Sequence, residues 1–300
     1  MRKIVGYLWD YIKSIDKRVF GFSALFTAAL VFCNYYFHLN RRINHLEIYW
    51  QYLSWFCLFC FVLGFGYCVQ LAVHNKTRYD WRKLSLLIVI AAAIFSWKMA
   101  YRFRLNFSPD PVFNEYWNAV VYWPLKVLAI TVSLAIVHRL FDKEQDFYGV
   151  RLRNFTVRPY LIMLLIMVPL IALASTQKDF LQMYPRMQKI ALLQQPETGW
   201  YQLLYQLSYG VDFFAIELFF RGFLVLAFAR VAGKGAILPM AIFYCTIHFG
   251  KPLGECISSF FGGIILGVVS YHTRTIFGGF MVHVGIAWLM ELAGSFPLSR

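Results

Sequence analysis

The chain is a succession of apolar runs, most about as long as a bilayer core is thick, with the basic residues gathered between them. A helix crossing that core needs about 20 mostly apolar residues. Runs of this kind fall near 19–38, 50–73, 84–101, 117–139, 159–176, 203–229, 235–249, 255–272 and 276–294. Lipid supplies no hydrogen bonds to a peptide group, so such runs fold as helices that satisfy their own backbone. The expected fold class is therefore all-α, a polytopic transmembrane bundle of eight or nine spans. The seventh and eighth spans are expected to be short, and either tilted or joined by a partly buried loop at 250–254.

Composition agrees. Hydrophobic residues make up 60% of the chain and charged ones 15%, against about half and about a quarter in soluble domains. The 30 Phe, 19 Tyr and 9 Trp suit a lipid-facing surface with aromatic belts. The net charge of +14 forms no basic stripe on a soluble segment, so a nucleic-acid partner is not expected and the bilayer is. With the N-terminus in the cytoplasm, the connectors at 1–18, 74–83, 139–158, 230–234 and 272–275 carry 17 Lys and Arg against 9 on the other side. That asymmetry sets the orientation and places the C-terminus outside. The N-terminal stretch 1–18 is basic and amphipathic without a small-residue cleavage site, which reads as an interfacial segment leading into an uncleaved first span.

All six cysteines lie in apolar stretches; Cys57 and Cys60 form a C-x-x-C with no His or charge nearby and read as packing. Lys98 and Lys126 sit near span ends or mid-span, where snorkelling is the simple account, and Lys126 after Pro124 has the alternative of lining a cavity. The hydrophilic stretch 177–200 contains an amphipathic piece and ends in a Pro/Gly turn. It divides an N-terminal helical region, 1–195, from a C-terminal core, 196–300.

Within that core the run 213–229, FFAIELFFRGFLVLAFA, carries one carboxylate and one guanidinium, Glu217 and Arg221. Their i, i+4 spacing puts both on one helix face. A charge at membrane depth costs roughly 3 kcal/mol or more unless it is paired or faces a polar site. The pair alone fits either a structural tie or a carboxylate tuned for chemistry. Two further spans each carry a histidine, His248 before a helix-ending Phe-Gly-Lys-Pro and His283 after Gly278-Gly279. Glu255 can approach His248 if the loop between them folds back. Glu291, two turns beyond His283, reads as interfacial, with a supporting contact to His283 as the alternative. No H-E-x-x-H is present and no two candidate ligands share a helical spacing on one span, so zinc is not expected, although two histidines and a glutamate remain compatible with it. Water activated by Glu and His needs fewer assumptions. No G-x-S-x-G occurs, and Cys245 reads as packing.

The order E-L-F-F-R-G, then Tyr-x-x-x-His, then a spanning His after a glycine pair resembles the CPBP (CAAX protease and bacteriocin-processing, or Abi) family of intramembrane proteases. The resemblance covers roughly 205–294, with FRGFL, HFGKPLGE and HVGIAWLMEL as supporting text. It implies an endopeptidase that hydrolyses a membrane-presented protein or peptide in a bacterial plasma membrane. It implies Glu217 and His248 as base machinery, His283 as oxyanion stabiliser and Arg221 as the residue orienting the carboxylate. Ile216 stands where the family has its first glutamate, Ala287 where it has its last asparagine, and Tyr244 where it has Phe. Asp212, one turn before Ile216 on the same face, or Glu217 itself is the candidate to supply the base that position 216 lacks. A non-catalytic protein that binds a peptide or a partner membrane protein at the same site is the second reading; a transporter with a proton relay is the third.

Overall fold

The first break in the chain comes at Ile15, between an amphipathic helix and the first apolar one. Helix α1 (Arg2–Ser14) buries Ile4 and Tyr11 and leaves Val5, Trp9 and Ile12 exposed. Asp16 then accepts from the Arg18 amide at 2.8 Å and starts α2 (Lys17–Phe37). A left-handed residue, His38, separates α2 from α3 (Leu39–Asn44), and α4 (Ile48–Val73) follows. Side-chain caps open the next two helices: Asp80 opens α5 (Trp81–Ala100), and Asp110 with Pro111 opens α6 (Pro111–Phe141). Then come α7 (Arg158–Ala174), α8 (Lys178–Met183) and α9 (Gly199–Glu217), which continues unbroken into a π-helical stretch, Leu218–Ala227. A single turn α10 (Ala229–Ala232), then α11 (Ile237–Thr246), α12 (Leu253–Thr273) and α13 (Phe277–Ser295) complete the order.

The computed structural model describes residues 1–73, 80–152, 155–194 and 198–296, and all regular elements among them are helical. Residues 74–79 and 153–154 of two basic connectors lie outside the described residues, as do 195–197, where the expected division of the chain falls. Among the described residues, six helices are long and apolar enough to cross a membrane: α2, α4, α5, α6, α12 and α13. Of the other expected spans, α7 has 17 residues, α9 joins the π-helical stretch, and α11 has only 10. The eighth span is not short: α12 starts directly after Pro252 and runs 21 residues to Thr273. Only α11 is short, and the segment 247–252 after it carries His248.

The connectors sort to two ends. At one, Gln70 donates to the Gly235 carbonyl (2.6 Å) and Arg151 to that of Arg274 (2.9 Å), while the Ile276 amide reaches the Gly149 carbonyl (3.1 Å). Arg230 pairs with Asp142 there, and Lys234 reaches Ser14. These contacts bring together residues of 1–18, 139–152, 230–234 and 272–275, from four of the five connectors expected on one side of the membrane; most of the fifth, 74–83, lies outside the described residues. At the other end, Asn34 and Tyr35 donate to the carbonyls of Phe249 and Lys251.

The connector after α6 is wedged beneath the π-helical stretch. Tyr148 takes a left-handed backbone, φ 43°, and is almost fully buried with its hydroxyl donating to Asp142. Burial pushes that phenol's pKa well up, and the Asp142 carboxylate adds to the shift. A Cβ at Gly222 would strike the Tyr148 carbonyl, so the glycine directly after Arg221 is what admits this close approach.

Lys98 and Lys126 do not snorkel. Both are buried: Lys98 pairs with Asp212 across two helices, and Lys126 donates to the Lys98 carbonyl and the Tyr122 hydroxyl. An acceptor on a neighbouring helix removes the reason for either chain to reach for the interface.

The core is shared by both parts of the chain. Phe95 of α5 packs on Phe219 (4.7 Å between centroids), Phe220 (5.1 Å) and Phe243 of α11 (5.6 Å). Each such aromatic pair adds about 0.5–1.5 kcal/mol beyond its buried area. This block holds residues 217–221 against Tyr244.

Candidate functional site

Glu217 is the last residue of α9 and Arg221 lies on the first turn of the π-helical stretch; both are fully buried. Ten residues of π-helix are uncommon, since π geometry is usually confined to a single turn and is frequent at functional sites. Arg221 Nη1 lies 3.0 Å from Glu217 Oε1. The same oxygen lies 3.0 Å from His283 Nδ1, which enters from α13. The other carboxylate oxygen faces Gly279, one turn before His283, where any Cβ would overlap it. The glycine pair therefore makes room for the carboxylate rather than only for a neighbouring helix.

The sharing pattern fixes the imidazole. Carboxylate oxygen only accepts, so His283 Nδ1 carries its proton and donates to Glu217. The remaining nitrogen, Nε2, lies 3.0 Å from the Tyr244 hydroxyl of α11. The Tyr244 ring stacks under the Arg221 guanidinium at 4.3 Å, a cation–π contact. Arg221, Glu217, His283 and Tyr244 thus form one closed circuit of charge and hydrogen bonds. Among the described residues, Glu217 Oε2 and Arg221 Nε, Nη1 and Nη2 lack a well-aligned hydrogen-bond partner, Nη1 meeting Glu217 Oε1 as an ion pair only.

His248 sits just past α11, with its ring edge-on to Tyr244 at 4.7 Å. Its Nδ1 is 2.8 Å from the Tyr244 carbonyl. A carbonyl cannot donate, so Nδ1 bears the proton and the neutral ring keeps an unprotonated Nε2. His248 and His283 are both partly exposed, whereas Glu217 and Arg221 are sealed.

The candidates therefore divide. Glu217, Arg221, His283 and His248 come together around Tyr244, but Glu217 is hydrogen-bonded to His283 and not to His248. Ile216, beside it, is buried and apolar. Asp212 is held by Lys98. Glu255 is held by Lys251 (3.0 Å) and by the Tyr184 hydroxyl (3.0 Å), and no hydrogen bond joins it to His248 among the described residues. Burial, then the Glu255 charge, pushes the Tyr184 phenol's pKa well above its ordinary value.

The interfacial reading of Glu291 is overturned. Its carboxylate is buried and accepts from the amides of Arg186 (2.8 Å) and Met187 (3.4 Å) and from Gln206 (3.2 Å). It ties the hydrophilic stretch to α13 and makes no contact with His283. Unpaired amides at the start of a 3-10 turn attract a carboxylate for the same reason a helix N-terminus does. Tyr244 was read from the sequence only as a motif position where the family has Phe; the signal that its hydroxyl joins the site was a phenol one helical turn before His248 in a mostly apolar run.

Among the described residues, no three His, Cys, Asp or Glu side chains converge as a metal site. No curated protein and no solved structure matches the chain. Residues 198–289, from the start of α9 to midway along α13, match the Rce1-like family model, described as type II CAAX prenyl endopeptidase Rce1-like, and over that stretch the resemblance read from the motifs is borne out.

Proposed function

We propose that the protein is an intramembrane endopeptidase of the CPBP type, hydrolysing a peptide bond in a protein or peptide presented at a bacterial plasma membrane, with its N-terminus in the cytoplasm. The observation that carries this reading is His248, whose Nδ1–H is tied to the Tyr244 carbonyl so that Nε2 is left as a base. A water oxygen attacks the scissile carbonyl carbon while its proton passes to Nε2. The resulting imidazolium then returns that proton to the leaving amine as the C–N bond breaks. The oxyanion forms on the side of His283, which Glu217 holds at Nδ1 and Arg221 keeps in electrostatic balance. The same residue types without a metal suffice for this chemistry, and a chelator arm in the experiment tests it.

The test is cleavage of a membrane-peptide library by the purified protein in lipid, comparing wild type with His248→Ala and Glu217→Gln, each with and without chelator. The expected outcome is a loss of about 10²–10⁴-fold for His248→Ala, the usual worth of a positioned base. Glu217→Gln is expected to be defective too, and chelator without effect. Loss of activity with chelator would instead assign a metal.

One observation favours a second reading, a non-catalytic protein that binds a peptide or partner membrane protein at the same place. Among the described residues no carboxylate is hydrogen-bonded to His248, because Ile216 is apolar and Asp212 and Glu255 are held by lysines. Folded protein that binds library peptides yet cleaves none would establish it.

A further inference from the structure

A row of side chains leads away from Glu217 along α9 and ends in polar groups that the fold leaves free. Positions 205, 209, 213 and 217 recur every fourth residue, so Tyr205, Tyr209, Phe213 and Glu217 follow one another along the helix. Phe213 rests on the His283 ring at 4.5 Å between centroids, and Tyr209 packs on Phe213 at 5.2 Å. Over the Tyr209 ring, at 5.5 Å, lies the Arg186 guanidinium. Tyr209 is about 12 Å from Glu217 along the helix axis, the reach of a few extended residues.

Arg186 is held by its backbone and not by its charge. Its amide donates to Glu291 at the start of the 3-10 turn Arg186–Lys189. Its guanidinium is half-buried and makes no hydrogen bond or ion pair among the described residues. The electrostatic neighbours of that guanidinium are the phenols of Tyr209, Tyr184 and Tyr205 and the Glu255 carboxylate. Tyr184 is already used, donating to Glu255 and accepting from Lys251. Tyr205 and Tyr209 are not used. They are only 3% and 4% exposed, yet neither hydroxyl has a hydrogen-bond partner among the described residues, and neither is sealed from solvent. Buried polar groups are nearly always paired, so two free phenols beside a free guanidinium call for an acceptor. The carboxylates around them are committed: Glu255 to Lys251, and Glu291 to the amides of Arg186 and Met187 and to Gln206.

We propose that Arg186, with the hydroxyls of Tyr205 and Tyr209, binds a carboxylate of the peptide that the site takes, either an Asp or Glu side chain or the peptide's C-terminal group. This rests on the reading of a peptide as the ligand, and not on its cleavage. A guanidinium presents paired N–H donors that match the two oxygens of a carboxylate, and each phenol adds one donor. A peptide held there by its acid lies along α9 past Phe213 and reaches the histidines with its other end. The carboxylate therefore sets the register, and with it the peptide bond that is presented to His248.

The probes are fluorescent apolar peptides of one length in matched pairs. In one set a single Asp is moved along the peptide against Asn; in the other a free C-terminus is set against its amide. Affinities are measured for the full chain in lipid nanodiscs. Wild type is expected to bind the best acidic member about 10–100-fold more tightly than its neutral partner, the worth of a hydrogen-bonded charge. Arg186→Gln is expected to abolish that preference and leave affinity for the neutral partner unchanged. Its fold is expected to survive, checked by thermal unfolding, because the bond to Glu291 comes from the backbone amide. Tyr205→Phe and Tyr209→Phe keep their rings and should each lower the preference several-fold, which decides the matter should Arg186→Gln not fold. A preference for Asp alone assigns a side chain as the source, and one for the free terminus alone assigns the chain end. No preference in wild type, a preference retained in Arg186→Gln, or an equal loss for both members of a pair would overturn the proposal. Turnover separates it from the hydrolytic reading. Where the peptides are cleaved, Arg186→Gln should raise KM for the acidic member alone, with kcat unchanged. A preference without any cleavage would leave the carboxylate site standing and sink the hydrolytic reading.

Discussion

Two buried ionic clusters lie in the spans of this molecule, and they are built differently. In one, Lys98 meets Asp212, and Lys126 meets the Lys98 carbonyl and Tyr122. In the other, Glu217 is ion-paired with Arg221 and accepts from His283, and His283 leans on Tyr244. The lysine cluster is saturated: neither lysine nor the aspartate carries a buried nitrogen or oxygen without a hydrogen-bond partner. The glutamate cluster keeps unpartnered atoms on Glu217 and Arg221 and ends in two partly exposed histidines. Ions of the first kind tie helices together. Those of the second are held under electrostatic load beside groups that can reach a substrate, which is the arrangement expected of a functional site.

The largest test of that contrast is Arg221→Met. It leaves a fully buried carboxylate with only a histidine for company, and breaking a buried pair in this way costs about 3–5 kcal/mol. Thermal unfolding in detergent should show the loss. The double variant Glu217→Leu/Arg221→Met removes both charges and should recover most of that stability, because an apolar pair of similar volume is often as good. It should nevertheless cleave nothing, since His283 then has no carboxylate to hold it. Recovery of cleavage along with stability would demote the pair to a structural tie and erase the contrast.

A middling effect is expected from Gly279→Ala. The added methyl overlaps the Glu217 carboxylate and must push it off His283 or move α13, at about 1–3 kcal/mol. Activity should fall more than stability does. Gly262→Ala, where a Cβ meets nothing within 4 Å, is the control and should change neither.

What was legible in the sequence follows the range over which each interaction acts. The helices could be read because a bilayer imposes a length and an apolar composition on consecutive residues, as for α2, α4 and α13. The Glu217–Arg221 pair could be read for the same local reason, one helical turn. The Glu217–His283 bond joins residues 66 apart, so spacing alone offered no guide to it, and only the order of motifs placed both in one site. The two lysines were misread because the aspartate that holds Lys98 lies 114 residues away, and hydropathy records the cost of a buried charge but not its partner. Glu291 was misread because its acceptors' partners are backbone amides of a turn, which no pattern of side chains announces. The shortness of α11 was foreseen, but that of α12 was not borne out, because Pro252 starts a helix there instead of interrupting one.

The smallest effect should come from the lysine cluster, and it is the more telling for being small. Lys98→Met alone strands Asp212, whose side chain is 16% exposed, so solvent shares the load and the cost should be about 1–3 kcal/mol rather than the full penalty of a sealed charge. Lys126 keeps its partner, because the acceptor it uses is the backbone carbonyl of residue 98 and survives the substitution. Lys98→Met/Asp212→Leu should then return to within about 1 kcal/mol of wild type, since a buried ion pair is often replaceable by apolar side chains. Cleavage should be unchanged in the double variant, because neither residue touches Glu217, His248, His283 or Tyr244. If cleavage were lost from a stably folded double variant, Asp212 would be acting as the carboxylate that position 216 lacks, and Lys98 would be its regulator instead of its lock. Two clusters that look alike in charge and depth would then belong to one site, and the distinction between saturated and unsaturated ions would have to give way to distance from the substrate.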